Sequence, residues 1–149
     1  MRILDLNKIE YSQYEYKADQ SLTGEEIAQL LNENVDSVFK TLVAIGKSKE
    51  YYVFMIPVNK ELDLKKAAIS VNEKNIEMIP FKELLKVTGY VHGGCSPLGM
   101  KKDYKLAINE SVLSLKEIYF SGGKVGLQVK VKTKDFLSLK NPIIKNLVK

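Results

Sequence analysis

Apolar and polar residues follow two periods along this chain, and the changes of period mark its elements. Residues 39–45 alternate with period two, Thr41 and Val43 on one side and Leu42 and Ala44 on the other. Gly46-Lys47-Ser48-Lys49 turns the chain, and residues 51–57 are apolar almost throughout, so 39–57 reads as a hairpin. Residues 126–132 alternate more cleanly, with Leu127, Val129 and Val131 opposite Gln128, Lys130 and Lys132. The turn Ser121-Gly122-Gly123-Lys124 joins that strand to a short one at 118–120. Further strands are expected at 10–17, which carries Tyr11, Tyr14 and Tyr16, at 75–78 and at 104–108.

Helical spacing takes over elsewhere. Thr23 with Glu26 three residues on is a capping box, opening a helix with Ile27, Leu30 and Leu31 on one face. Asp63 caps a helix over 64–69, and Pro80 starts one over 81–87 with Leu84 and Leu85 inward. A short helix at 3–8, a helical turn at 35–38, a brief helix capped by Ser111, and a last helix over 134–139 capped by Thr133 and ended by Asn141-Pro142 complete the list. Hairpin signals outnumber helix-crossover ones, and no linker or internal repeat divides the chain. The expectation is one α+β domain, spanning 1–149, around a mainly antiparallel sheet.

Composition narrows the class. The 149 residues are 45% hydrophobic, enough for a packed core, and no apolar run approaches the roughly 20 residues of a membrane helix. The opening Met1-Arg2-Ile3-Leu4-Asp5-Leu6 lacks the apolar core of a signal peptide, so a cytoplasmic protein is expected. One cysteine and one histidine exclude an internal disulfide and argue against a Cys/His zinc site. The net charge of +5 is uneven. Residues 1–75 hold 10 Lys+Arg and 12 Asp+Glu, residues 76–149 hold 13 and 6, and the basic half would attract a polyanion such as nucleic acid. Nearly all of that charge is lysine, which favours phosphate attraction over reading of base edges.

No GxSxG elbow, P-loop or dinucleotide fingerprint is present. The densest candidate chemistry lies at Gly93-Gly94-Cys95-Ser96-Pro97-Leu98-Gly99. Such a run makes a rigid loop with little side-chain bulk, either a tight turn or a set of peptide N–H groups that approach a ligand oxygen. His92 and Cys95 compose a base and nucleophile pair, or a surface residue and a packed thiol. Lys40 stands in an apolar hairpin, snorkelling to its edge or facing a cavity.

Five segments in order carry a family resemblance: Val38-Phe39-Lys40-Thr41-Leu42, Leu62-Asp63-Leu64-Lys65-Lys66, Thr88-Gly89-Tyr90-Val91, the glycine run at 93–99, and Ser121-Gly122-Gly123-Lys124-Val125-Gly126-Leu127. Together they resemble the YbaK/EbsC-type aminoacyl-tRNA deacylases, relatives of the editing domain of bacterial prolyl-tRNA synthetases. The resemblance implies a mixed α/β domain with a mainly antiparallel, barrel-like sheet and the prolyl-tRNA synthetase editing-domain fold. It implies a trans-editing hydrolase that cleaves the ester of mischarged proline tRNA, cysteinyl-tRNA above all, with no metal or cofactor. A tRNA- or nucleotide-binding module of the same fold without hydrolysis is the alternative. Proline tRNA, through its 3′ aminoacyl end, would be the partner, with prolyl-tRNA synthetase kept open as a second and no membrane involved.

By the same resemblance Lys40 is the essential lysine, anchoring a phosphate or orienting the ester. Gly93, Gly94 and Ser96 belong to a substrate loop whose amides hold the ester carbonyl. Thr88, Gly89, Pro97, Gly99 and Gln128 are expected to bind substrate with them, Tyr16 aligns with a tyrosine at the pocket edge, and Ser121, Gly122 and Gly123 match a second pocket loop. The chain departs from the pattern at Gln128, where cysteine-specific relatives can carry an aspartate, at Cys95, usually aliphatic, and in its short N-terminal helix. An activated ester needs only positioning and carbonyl polarisation, without a protein general base.

Overall fold

The computed structural model describes residues 2–19 and 21–149. Five α-helices are present among them: α1 (Arg2–Leu6), α2 (Gly24–Leu30), α3 (Leu64–Ser70), α4 (Phe81–Thr88) and α5 (Thr133–Lys140). Interleaved with these are β1 (Tyr11–Glu15), β2 (Phe39–Gly46), β3 (Tyr51–Pro57), β4 (Ile76–Met78), β5 (Lys105–Asn109), β6 (Glu117–Ser121), β7 (Leu127–Lys132) and β8 (Ile143–Lys145). Short 3₁₀ segments, Val35–Ser37 and Glu110–Ser114, precede β2 and β6.

Both expected hairpins form. β2 pairs with β3 antiparallel, Lys40 opposite Ile56 and Val43 opposite Val53, and β6 pairs with β7, Ser121 opposite Gln128. From these the strands sort into two sheets. One is antiparallel, β1-β7-β6; the other is mixed, β4-β2-β3-β5-β8, with β5 parallel to both β3 and β8. A single bridge, Val38 to Tyr119, ties the two sheets together. They are not closed, so barrel-like describes the arrangement only loosely.

The main core is shared by both sheets. Phe39, Val43, Val53 and Met55 from the mixed sheet meet Ile118, Phe120, Val129 and Val131 from the other, with Leu4, Leu84 and Phe136 brought in by α1, α4 and α5. The opposite face of the mixed sheet packs Ala44, Phe54 and Ile56 against Ala67 and Ala68 of α3. A third, smaller cluster of Ala28, Val38 and Tyr119 seats α2 against the antiparallel sheet.

Local signals account for most element ends. Thr23 Oγ1 accepts from the Glu26 N–H at 3.1 Å while Glu26 Oε1 accepts from the Thr23 N–H at 3.2 Å, a reciprocal cap worth about 1 kcal/mol. Asp63 accepts from the N–H groups of Lys65 and Lys66. Gly89 stops α4 in the left-handed conformation at φ +88°.

Several details differ from the sequence reading. Leu30 and Leu85 are exposed, Ala28 takes an inward place and Leu84 alone of the expected pair stays inward, because short helices present only a narrow buried stripe. Ser111 lies inside its 3₁₀ segment, and Asn109, which precedes it, makes no side-chain cap bond. Thr133 is the first residue of α5 rather than its cap, and Lys132 precedes it without a side-chain bond. Strand β8 lies beyond the Asn141-Pro142 stop and was not anticipated.

Candidate active site

One pocket of about 230 Å³ opens where the two sheets, α2 and the glycine-rich loop converge. β2 supplies Lys40 and Thr41, the loop after α4 supplies His92, Gly93 and Cys95, and the end of the β6–β7 hairpin supplies Ser121 and Gln128. Thr23, Gly24 and Ile27 close it from the start of α2. Lys40 is therefore on the cavity side of the alternatives left by its sequence. It is half-buried, and that burial lowers its pKa below the ordinary lysine value, partly opposed by the charges of Glu61 and Glu25.

Two acceptors on this wall have no partner. Thr41 Oγ1 and Gln128 Oε1 are both inaccessible to solvent and accept no hydrogen bond. Buried polar atoms are almost always bonded, and leaving one without a partner costs roughly 1–3 kcal/mol, so these two, both on residues that line the pocket, are the unsatisfied polar groups of the site. Gln128 is directed there by register. Its cross-strand neighbours are Tyr14 and Ser121, and Tyr14 and Tyr119 pack on that side of the sheet, leaving Gln128 buried while Lys132 at the strand end stays exposed.

The glycine-rich loop is a brace more than an open cradle. Residues 94–98 are buried, Ser96 completely. Thr88 Oγ1 donates to the Leu84 carbonyl at 2.7 Å and accepts from the Tyr90 N–H at 3.0 Å. Tyr90 Oη donates to the Leu98 carbonyl at 2.5 Å, and Ser96 Oγ accepts from the Leu98 N–H at 3.2 Å. The Gly94 N–H is bonded to the Val91 carbonyl. A Cβ on Gly94 would lie 2.8–2.9 Å from backbone atoms of Lys124 and Val125, so the loop meets the β6–β7 turn backbone to backbone.

Of the residues singled out by sequence, Lys40, Gly93, Ser121 and Gln128 reach the pocket together. Gly94, Ser96, Thr88 and Gly89 lie behind it, holding the loop. Pro97 and Gly99 line a separate cavity with Met100 and Lys140. Tyr16 is not among the wall residues; its N–H bonds the Gly126 carbonyl and its hydroxyl is buried without a partner. Gly122 packs on Leu127 and Gly123 on the Tyr90 ring. Sequence reasoning missed Thr41 and the start of α2 as wall residues, although Thr41 sits beside Lys40 and the capping box is legible in the sequence.

Cys95 is on the wall, but burial pushes its thiol up to about 11. At neutral pH the thiolate is then a fraction on the order of 10⁻⁴, too little for a nucleophile of the Cys/His type. Among the described residues no group of three or more His, Cys, Asp or Glu side chains is placed to hold a metal ion.

Residues 19–139 match the aminoacyl-tRNA editing domain. The chain belongs to this family. Among its relatives is an Enterococcus faecalis protein that bears the name Cys-tRNA(Pro)/Cys-tRNA(Cys) deacylase EbsC, 39% identical over 142 residues, which are 95% of this chain and 87% of that one. A crystal structure described as a trans-editing enzyme for prolyl tRNA synthetase superimposes with a TM-score of 0.84 at 25% identity, covering 93% of this chain and 87% of the other. A crystal structure of a hypothetical protein shares the fold with a TM-score of 0.90 at 19% identity, covering 99% and 97% of the two chains. No helix among the described residues is long and apolar enough to cross a membrane.

Proposed function

We propose that this member of the editing-domain family hydrolyses the ester between a mischarged amino acid and the terminal ribose of proline tRNA, with cysteinyl-tRNA the preferred substrate. Family membership and the relative named as a Cys-tRNA deacylase support the reaction. The observation that carries the residue assignment is the shared wall: a half-buried ammonium, Lys40, and two acceptors without partners, Thr41 Oγ1 and Gln128 Oε1, on one small pocket.

The pocket's 230 Å³ lies below the roughly 300–1,000 Å³ of ordinary small-molecule sites, and it takes the aminoacyl end rather than more of the tRNA. The substrate's α-ammonium bonds Thr41 Oγ1 and Gln128 Oε1. Lys40 holds the ester oxygen or the adjoining phosphate and steadies negative charge as the carbonyl is attacked. Gly93 brings backbone to the same end of the pocket. Water attacks the carbonyl, the C–O bond to ribose breaks, the proton passes to the ribose oxygen, and free amino acid and tRNA leave. With cysteine the substrate's own thiol can attack, releasing tRNA and a thiolactone. Gln128 in place of a carboxylate gives the ammonium a neutral acceptor, so selection of the amino acid rests more on pocket size than on charge. The reaction belongs in the cytoplasm, where charged tRNA is used, with prolyl-tRNA synthetase as the upstream source of the error.

Incubation with cysteinyl-, alanyl- and prolyl-tRNA(Pro) side by side tests the reading. Release of cysteine ahead of alanine, with prolyl-tRNA spared, is expected. Binding of all three without release refutes it in favour of a module that holds tRNA without hydrolysis.

A further inference from the structure

Phe81 is 69% exposed, a large apolar side chain left mostly in water. It is not an isolated surface residue. Its ring centroid lies 3.9 Å from that of the His92 imidazole with 19° between the planes, a parallel stack. His92 in turn lines the pocket that holds Lys40. Phe81 opens α4, and Leu84, one turn on and on the same side of the helix, also lines that pocket. The stacked pair therefore stands at the pocket rim.

The surroundings have a definite character. Leu85, four residues on from Phe81, is 54% exposed and extends the apolar strip along α4. Lys82 and Lys86 form a parallel row beside it, both exposed. An aromatic face with ammonium groups alongside is the combination by which proteins hold single-stranded nucleic acid, bases stacking while phosphates meet cations. The His92 stack fixes the Phe81 ring in place, so little side-chain freedom is lost when a second planar group is added.

We propose that Phe81, backed by His92, is a stacking platform for a nucleobase of the single-stranded 3′ tail of tRNA. The inference rests on the reading of the adjoining pocket as the aminoacyl-ester site. Base and ester are carried by the same terminal nucleotide. An acyl group seated among Lys40, Thr41 and Gln128 brings the end of the tail, base included, to the pocket rim, where the Phe81 ring waits. Lys82 and Lys86 face the phosphates that follow. The platform is indifferent to base identity, because every base offers a π face.

The test uses an RNA acceptor-stem hairpin whose 3′ tail ends in 2-aminopurine, a base whose fluorescence is quenched on stacking, titrated past the KM measured with Cys-tRNA(Pro). Quenching is expected with the native chain and with Phe81→Tyr, and its loss with Phe81→Ala and Phe81→Leu. KM for Cys-tRNA(Pro) rises about 5- to 100-fold in Phe81→Ala and Phe81→Leu, and Phe81→Tyr restores it. Phe81→Leu keeps apolar bulk without a π face, so retention of quenching and KM in that variant overturns stacking in favour of plain hydrophobic contact. Equal quenching and KM in Phe81→Ala overturns the platform while leaving the ester site intact. A native chain that neither deacylates Cys-tRNA(Pro) nor quenches the probe removes both the platform and the reading on which it rests.

Discussion

Thr41→Val isolates the hydroxyl that the fold leaves without a partner. The side chain stands on β2 opposite Met55, and valine matches its shape, its branching and its strand preference, so the ladder is undisturbed. Only Oγ1, buried and unbonded, is removed. An unsatisfied buried hydroxyl costs roughly 1–3 kcal/mol. Taking the lower part of that range, removal of the hydroxyl stabilises the free protein by about 1–2 kcal/mol. For a chain of this length each kcal/mol moves the thermal midpoint by roughly 2–4 °C, so a rise of about 2–8 °C is expected by circular dichroism. Catalysis moves the other way. A hydrogen bond from an ammonium contributes about 1.5–3 kcal/mol, and its loss lowers kcat/KM for Cys-tRNA(Pro) by roughly 10- to 100-fold. A more stable, less active variant is the signature of a polar group kept for a ligand. A lower midpoint refutes the account of the orphan hydroxyl, and a higher midpoint with unchanged kcat/KM refutes its role toward the substrate ammonium.

Gln128→Met repeats the experiment on the second acceptor, and the double variant with Thr41→Val loses less activity than the product of the two singles, because both acceptors serve one ammonium; strictly multiplicative losses in a double-mutant cycle argue against a shared ligand. Lys40→Met abolishes deacylation while the fold survives. Because the folded chain holds that proton less tightly than the unfolded one, the penalty is full at neutral pH and fades as pH rises through the lowered folded value towards about 10.4. The variant therefore unfolds at a higher temperature than the native chain at pH 7, by a margin that shrinks in alkaline buffer, and a margin growing with pH contradicts the burial of the ammonium. Cys95→Ser keeps most of the activity, and iodoacetamide at pH 7 inactivates the native chain slowly, since a thiol with a pKa of about 11 presents little thiolate; rapid stoichiometric inactivation revives the cysteine nucleophile. Gly94→Ala forces Cβ against the backbone of Lys124 and Val125, and costs about 1–3 kcal/mol in chemical denaturation, far above a surface Gly→Ala change; an unchanged midpoint shows that the loop and turn are not packed backbone to backbone.

Local order was legible in the chain itself. The period-two runs at β2, β3 and β7, the capping box at Thr23 and the Asp63 cap are short-range features, each decided within a few residues, and each appears where the pattern put it. The motif set also disclosed the family, since its five segments are short-range patterns that fall in a fixed order along the chain. What the chain alone did not disclose depends on distance. β5 runs parallel to β3 across an intervening stretch of some 50 residues, and three-residue β8 gains its place only from β5, so no hairpin signal announces either pairing.

The glycine run shows the same division at the site. Its composition announced a rigid loop, but whether its amides and hydroxyls faced a ligand or each other was settled by packing: Ser96 and Gly94 are bonded within the loop, and Gly93 and Cys95 alone of its residues reach the pocket. Gln128 and Thr41 carry the converse lesson. Alternation placed them on strands, but only the cover laid over β7 and the convergence of two sheets turned both into buried acceptors on one wall. Sequence sets backbone conformation and which side of a strand is apolar, since those preferences are intrinsic to a few neighbouring residues. The company each side chain keeps is set by the tertiary fold, because burial and hydrogen-bond satisfaction belong to surfaces brought together from opposite ends of the chain.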